Sequence, residues 1–71
     1  LNNGKAIVDK VRMVQVSSGE LEIKHEVTCE CGTTFKMETF EMSCPSCNMV
    51  YGVTPCSSHD KNNIKPAGIN Y

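Results

Sequence analysis

Four of the five cysteines of this 71-residue chain fall in two close pairs, Cys29-x-Cys31 and Cys44-x-x-Cys47, with twelve residues between them. That spacing constrains the fold more than any other feature. A chain this short buries only about 60% of the surface it exposes when unfolded. With no Trp, two Phe and two Tyr, it has few large side chains to put there. Small scaffolds with thin cores need disulfides, a metal or oligomerisation to offset the entropy lost on folding. An odd number of cysteines argues against a closed disulfide framework. No stretch resembles a secretory leader with a charged start, an apolar run and a small-residue cleavage site. The chain therefore reads as cytoplasmic, where clustered cysteines serve as metal ligands sooner than as bridges.

The residues around each pair support this. A C-x-x-C loop turns two sulfurs toward one ion and needs a residue tolerant of left-handed backbone just after it. Gly32 follows Cys31 and Asn48 follows Cys47, the residue types that enter that region most readily. Pro45 pre-sets φ inside the second loop and has no N–H to leave unsatisfied. The first pair is one residue shorter, but residues i and i+2 of an extended segment share a face, so its two thiolates can still converge. Zinc suits four thiolates because it is d¹⁰ and closes tetrahedrally at about 2.3 Å from sulfur. The expected cofactor is one structural Zn²⁺ held by Cys29, Cys31, Cys44 and Cys47. Cys₄ spacing alone also admits iron. A thioredoxin-type reading of Cys44-Pro45-Ser46-Cys47 requires a βαβ context, of which there is no sign.

Cys56-x-x-His59 is the ambiguous element. Five Cys and two His cannot furnish eight ligands for two closed sites, but Cys56 or His59 could replace Cys29 or Cys31. The alternative leaves Cys56 a spare thiol or small buried group and His59 a solvated residue. His25 is expected on a strand face, and with Glu26 it makes no H-E-x-x-H motif.

Elsewhere the pattern predicts a mainly β fold. Leu1 to about Lys5 reads as a leader. Val11–Val16 is largely β-branched and is followed by Ser17-Ser18-Gly19-Glu20, a turn signal. Leu21, Ile23 and Val27 then alternate with polar residues at the period of a half-buried strand. An N-terminal β-hairpin is expected, with a helix over Ala6–Val16 as the competing reading of the stripe Ile7, Val8, Val11 and Val14. Within Thr33–Met42, Phe35 and Met37 share one parity and Phe40 and Met42 the other, so a turn or bulge near Glu38-Thr39 is required for a common face. Met49–Thr54 reads as a short strand closed by Pro55. Residues 1–56 form the single domain, and Ser57–Tyr71 is expected as a loosely ordered polar tail.

The run Cys29-Glu30-Cys31-Gly32, with Phe35 after it and then Cys44-Pro45-Ser46-Cys47, resembles zinc ribbons of the C-x-C-G…C-P-x-C kind found in small bacterial and phage proteins. The continuation Met49-Val50-Tyr51-Gly52-Val53-Thr54-Pro55-Cys56 is similar to small proteins of Gram-positive bacteria and their prophages. The resemblance covers roughly residues 27–54. It implies metal and fold strongly and function weakly, since ribbons are grafted onto transcription factors, topoisomerases, ribosomal proteins and adaptors alike.

Charge narrows the function. The net charge is −1, and Glu20, Glu22, Glu26, Glu30, Glu38 and Glu41 crowd the middle against Lys24 and Lys36. Lys5, Lys10 and Arg12 are too few for the clustered basic face that phosphate binding uses. A protein-interaction or adaptor module is therefore expected, with an unidentified protein partner and a homodimer as options. Met13, Met37, Met42 and Met49 would be adaptable contacts if exposed and core filler if not. The competing function is nucleic-acid binding through Lys5, Lys10, Arg12 and Lys36 with stacking on Tyr51. A closed thiolate shell leaves no position for substrate, so no enzyme is expected. No apolar run approaches the roughly 20 residues of a membrane helix.

Overall fold

The computed structural model describes residues 3–71. Two antiparallel hairpins lie end to end in sequence, each carrying one cysteine pair in its turn. β1 (Glu20–Thr28) pairs with β2 (Thr34–Thr39), and β3 (Glu41–Ser43) pairs with β4 (Met49–Gly52). The turns between them span Cys29–Thr33 and Cys44–Asn48, so the strands deliver all four cysteines to one end. β2 passes into β3 through a bend at Phe40. This is the interruption that the parity change requires, falling one residue beyond Thr39. Phe35 and Met37 are buried, and Phe40 and Met42 pack on the same core from the second hairpin.

The N-terminal hairpin is not formed. Its expected first strand is instead α1 (Gly4–Met13), the helix that competes for the same residues. Asn3 caps it, its side chain accepting from the Lys5 N–H at 2.8 Å. Gly4, Ile7, Val8 and Val11 form its buried stripe. Gln15 ends it at φ 61, where the Val16 N–H bonds to the Val11 carbonyl and the Gln15 N–H to the Arg12 carbonyl. That pair of bonds is a Schellman stop, built here without the usual glycine. Burial of the stripe outweighs the β-branched propensity that favours a strand. Of the expected leader, Leu1 and Asn2 lie outside the described residues, and the rest starts the helix.

The tail also differs from expectation. Lys65–Ile69 forms β5, which pairs antiparallel with β4 and completes a three-stranded sheet in the order β3-β4-β5. Short 3-10 turns at Pro55–Ser57 and Lys61–Asn63 lead into it. Ile64 and Ala67 are buried, and with the ladder to β4 they order a segment that shows no period. His25, half-buried on β1, donates from Nε2 to the Ser58 carbonyl at 2.7 Å and ties the connection down.

α1 packs on β4 and β5, with Val8 against Val50 and Ala67. Its flank is fixed by polar contacts. The Arg12 guanidinium donates to both carboxylate oxygens of Glu41 at 2.8 Å and to the Tyr71 carbonyl at 3.2 Å. The Tyr71 hydroxyl donates to Asp9 at 2.7 Å. In β1 the alternation fails at Ile23, which is 53% exposed, because the register against β2 shifts between Glu20 and His25. The extra residues of the bulge fall out of the ladder, and Ile23 is among them, while Leu21 before it and Val27 beyond it are both buried. Among the described residues, no helix is long and apolar enough to cross a membrane.

Candidate metal centre

The sulfurs of Cys29, Cys31, Cys44 and Cys47 all lie within 4.8 Å of one another. Cys29 Sγ is 3.4 Å from Cys47 Sγ, and Cys31 Sγ is 3.7 Å from Cys44 Sγ. Tetrahedral zinc–thiolate bonds of about 2.3 Å place sulfurs about 3.8 Å apart. The cluster therefore has the size of a tetrahedral site before any ion is considered. All five cysteines are free thiols.

Both turns close in the same way. The Cys29 N–H bonds to the Thr33 carbonyl and the Cys44 N–H to the Met49 carbonyl, each at 2.8 Å. The first turn spans one residue less, which is how C-x-C does the work of C-x-x-C. It is a tight turn and not the extended segment expected for this pair, since the Gly32 N–H folds back on the Cys29 carbonyl at 2.9 Å. Gly32 sits at φ 97 and Asn48 at φ 65, so both residues following the pairs take the left-handed backbone expected of them. The Thr33 hydroxyl donates to Ser46 Oγ at 2.8 Å and joins the two turns.

These positions can be tested singly. A methyl group on Gly32 would meet nothing within 4 Å, so any cost of Gly32→Ala comes from the backbone alone. We expect a loss of about 1–2 kcal/mol, the penalty of left-handed geometry for an L-residue. Asn48→Gly should be within a few tenths of neutral, because glycine enters the same region freely. Urea unfolding of the metal-loaded variants reads both, and a Gly32→Ala protein as stable as the parent would refute the geometry.

Backbone N–H groups also act on the sulfurs. The Ser46 N–H donates to Cys44 Sγ at 3.4 Å, and those of Cys31, Thr33 and Met49 act on Cys29, Cys31 and Cys47 respectively. Hydrogen bonds to the charged form favour thiolate. The Thr33 N–H, then its hydroxyl, bring the Cys31 thiol down to about 6. Cys29 is lowered by the Cys31 N–H and next by the Tyr51 hydroxyl. Cys47 also has its thiolate favoured, by the Met49 N–H, yet it is pushed up to about 12 because it shares hydrogen bonds with Cys29, Cys31 and Cys44 and is desolvated. Four thiolates this close cannot all ionise alone, whereas a bound dication deprotonates its thiol ligands. The donor set fits a structural divalent metal such as zinc.

Cys56 and His59 are not in the cluster. Cys56 is exposed on the Pro55–Ser57 turn, 3.6 Å from Thr54 Oγ1 and 3.8 Å from Ser57 Oγ. His59 is exposed as well. Tyr51, in contrast, belongs to the site. It is 4% exposed, its ring packs 5.7 Å from that of Phe35, and burial followed by its hydrogen bond to Cys29 pushes its hydroxyl up to about 12. Nothing in the sequence marks it, because its approach to Cys29 depends on how the two hairpins face each other.

Comparison of the chain with known protein families, with curated proteins and with solved structures finds no match.

Proposed function

We propose that this chain is a structural-zinc module that presents a rigid β surface to a partner protein, and that it is not an enzyme. The convergence of four thiols into one closed tetrahedral set carries this reading. Such a set keeps no open position for water or substrate, and no second cluster of His, Cys, Asp or Glu that could hold a metal is found among the described residues. Docking is supported by exposed apolar side chains, Met13 at 73%, Ile23 at 53% and Ile69 at 59%. Of the methionines only Met13 is a free contact residue. Met37 is fully buried, and Met42 and Met49 pack on the core.

Nucleic-acid binding has less support than the sequence allows. Tyr51 is buried and cannot stack on bases, and the Arg12 guanidinium is engaged by Glu41. Glu20, Glu22 and Glu26 are exposed along β1. Three measurements test the proposal. Elemental analysis should find about one zinc per chain. Titration with single- and double-stranded DNA and RNA at about 50 mM salt, where phosphate contacts bind strongest, should show no salt-sensitive micromolar binding. Affinity capture from the native host should then yield a protein that is lost when Met13, Ile23 and Ile69 are changed to glutamate. Salt-sensitive micromolar binding to any nucleic acid would replace this reading with the other.

A further inference from the structure

We propose that the thiol cluster is also an oxidative modification site, in which peroxide converts it into two disulfides across the two turns, Cys29–Cys47 and Cys31–Cys44, that staple the fold in place of the metal. This rests on the zinc reading above.

Three observations carry it. Two sulfur pairs approach each other between the turns, Cys29 with Cys47 at 3.4 Å and Cys31 with Cys44 at 3.7 Å. Cys31 is exposed, whereas Cys29 and Cys44 are buried, so one ligand faces an oxidant in solution and Cys44, 3.7 Å from it, lies behind it. The turns that hold these residues are closed by their own backbone bonds and joined by Thr33 to Ser46. In the folded protein the sulfurs are therefore already paired across the turns when an oxidant arrives.

The chemistry balances with a peroxide as oxidant. The Cys31 thiolate attacks H₂O₂, forming an S–O bond as the O–O bond breaks, and gives a sulfenic acid and hydroxide. The Cys44 thiolate then displaces hydroxide from that sulfur to form the disulfide. A second peroxide does the same for Cys29 and Cys47. Four thiolates and two H₂O₂ thus yield two disulfides and four hydroxides, and no thiolate is left to hold an ion. Pairing within each turn is disfavoured, because once Cys44 and Cys47 join, Cys29 and Cys31 are left to close a ring across a single intervening residue, far from relaxed disulfide geometry. Cross-pairing satisfies all four and ties one hairpin to the other, as the metal does.

The test starts from protein shown to contain one zinc per chain, so that absence of metal counts against the zinc reading and not against this one. Hydrogen peroxide is added, release is followed with 4-(2-pyridylazo)resorcinol, and disulfides are mapped without reduction. Release of the full zinc content, a fall in free thiols from five to one, both cross-turn bridges and a retained β spectrum are expected. The same should hold for Cys56→Ser, with no free thiol left. Bridging of Cys44 to Cys47, participation of Cys56, unfolding as the metal leaves, or no release would each overturn the proposal.

Discussion

Removing the metal from the reduced protein should unfold it. The core that remains is thin: apart from the cysteine sulfurs, the main cluster rests on Leu21, Val27, Phe35, Met37, Tyr51, Val53 and Ile64, several of them at the edge of burial. Cores of chains below about 70–80 residues rarely supply more than 3–5 kcal/mol, whereas structural zinc contributes about 10–16 kcal/mol in zinc-finger peptides near neutral pH. Metal binding therefore outweighs the core. A strong chelator under reducing conditions is expected to abolish the β spectrum and the cooperative thermal transition, and added zinc to restore both. The thiols provide an independent count. In metal-loaded protein Cys56 alone should alkylate rapidly, since the ion would hold the other four, which cluster without it, and after chelation all five should. Acid acts in the same direction, because ligand thiols must be deprotonated to bind, so stability is present at neutral pH and lost as pH falls and the thiolates protonate. A chelated, reduced chain that kept its spectrum would show that the apolar core suffices and would remove the reason for the site.

That half of the molecule is legible in the cysteine pattern because the constraint is local. The residue after each pair must accept a left-handed backbone, and Gly32 and Asn48 announce this without reference to anything distant. The parity break between Met37 and Phe40 is local in the same sense, since it follows from a period of two. The helix and the fifth strand are different. Ile7, Val8, Val11 and Val14 satisfy a helical stripe, yet their β-branched character also satisfies a strand. The decision rests on what the stripe packs against, namely β4 and β5. β5 itself is hidden for the complementary reason. Lys65-Pro66-Ala67-Gly68-Ile69 has the composition of a loop, with Gly68 at φ 141, and it becomes a strand because β4 offers it an open edge and α1 covers Ala67. Each of these two elements is defined by the other, so neither can be read alone. Tyr51 escapes the sequence for a related reason: its role depends on the face that its strand presents to Cys29.

The place where this mutual dependence can be measured is Gly4. It is the first residue of α1 and is buried, and a Cβ built there would lie 1.8 Å from the Pro66 carbonyl oxygen, 2.4 Å from its carbon and 2.9 Å from the Ala67 nitrogen. All three are backbone atoms of β5, so no side chain can rotate away. Across the same seam a Cβ on Gly52 would lie 2.6 Å from Val8 Cγ2, which is itself fully buried. Two glycines thus set the distance between helix and sheet. For Gly4→Ala two opposed effects must be weighed. Alanine improves helix propensity by at most about 1 kcal/mol and restricts the unfolded chain by about 0.4–1 kcal/mol. Against this, α1 must lift from β5, and each of Val8, Ile7 and Val11 carries about 1.5–3 kcal/mol of burial. Partial loss of that burial exceeds both gains. We expect a net destabilisation of about 2–4 kcal/mol, lowering Tm by roughly 10–25 °C for a domain of this size. The metal-loaded protein is the one to measure, because its turns hold the two hairpins together while the helix seam is opened. Amide exchange should then accelerate across Ile7–Met13 and Lys65–Ile69 and stay slow at Cys29, Gly32, Cys44 and Asn48. An exposed glycine at the same helix position would behave oppositely, and Gly4→Ala would raise Tm. That outcome, or uniform acceleration of exchange across both halves, would mean that α1 is not seated on β5 through Gly4.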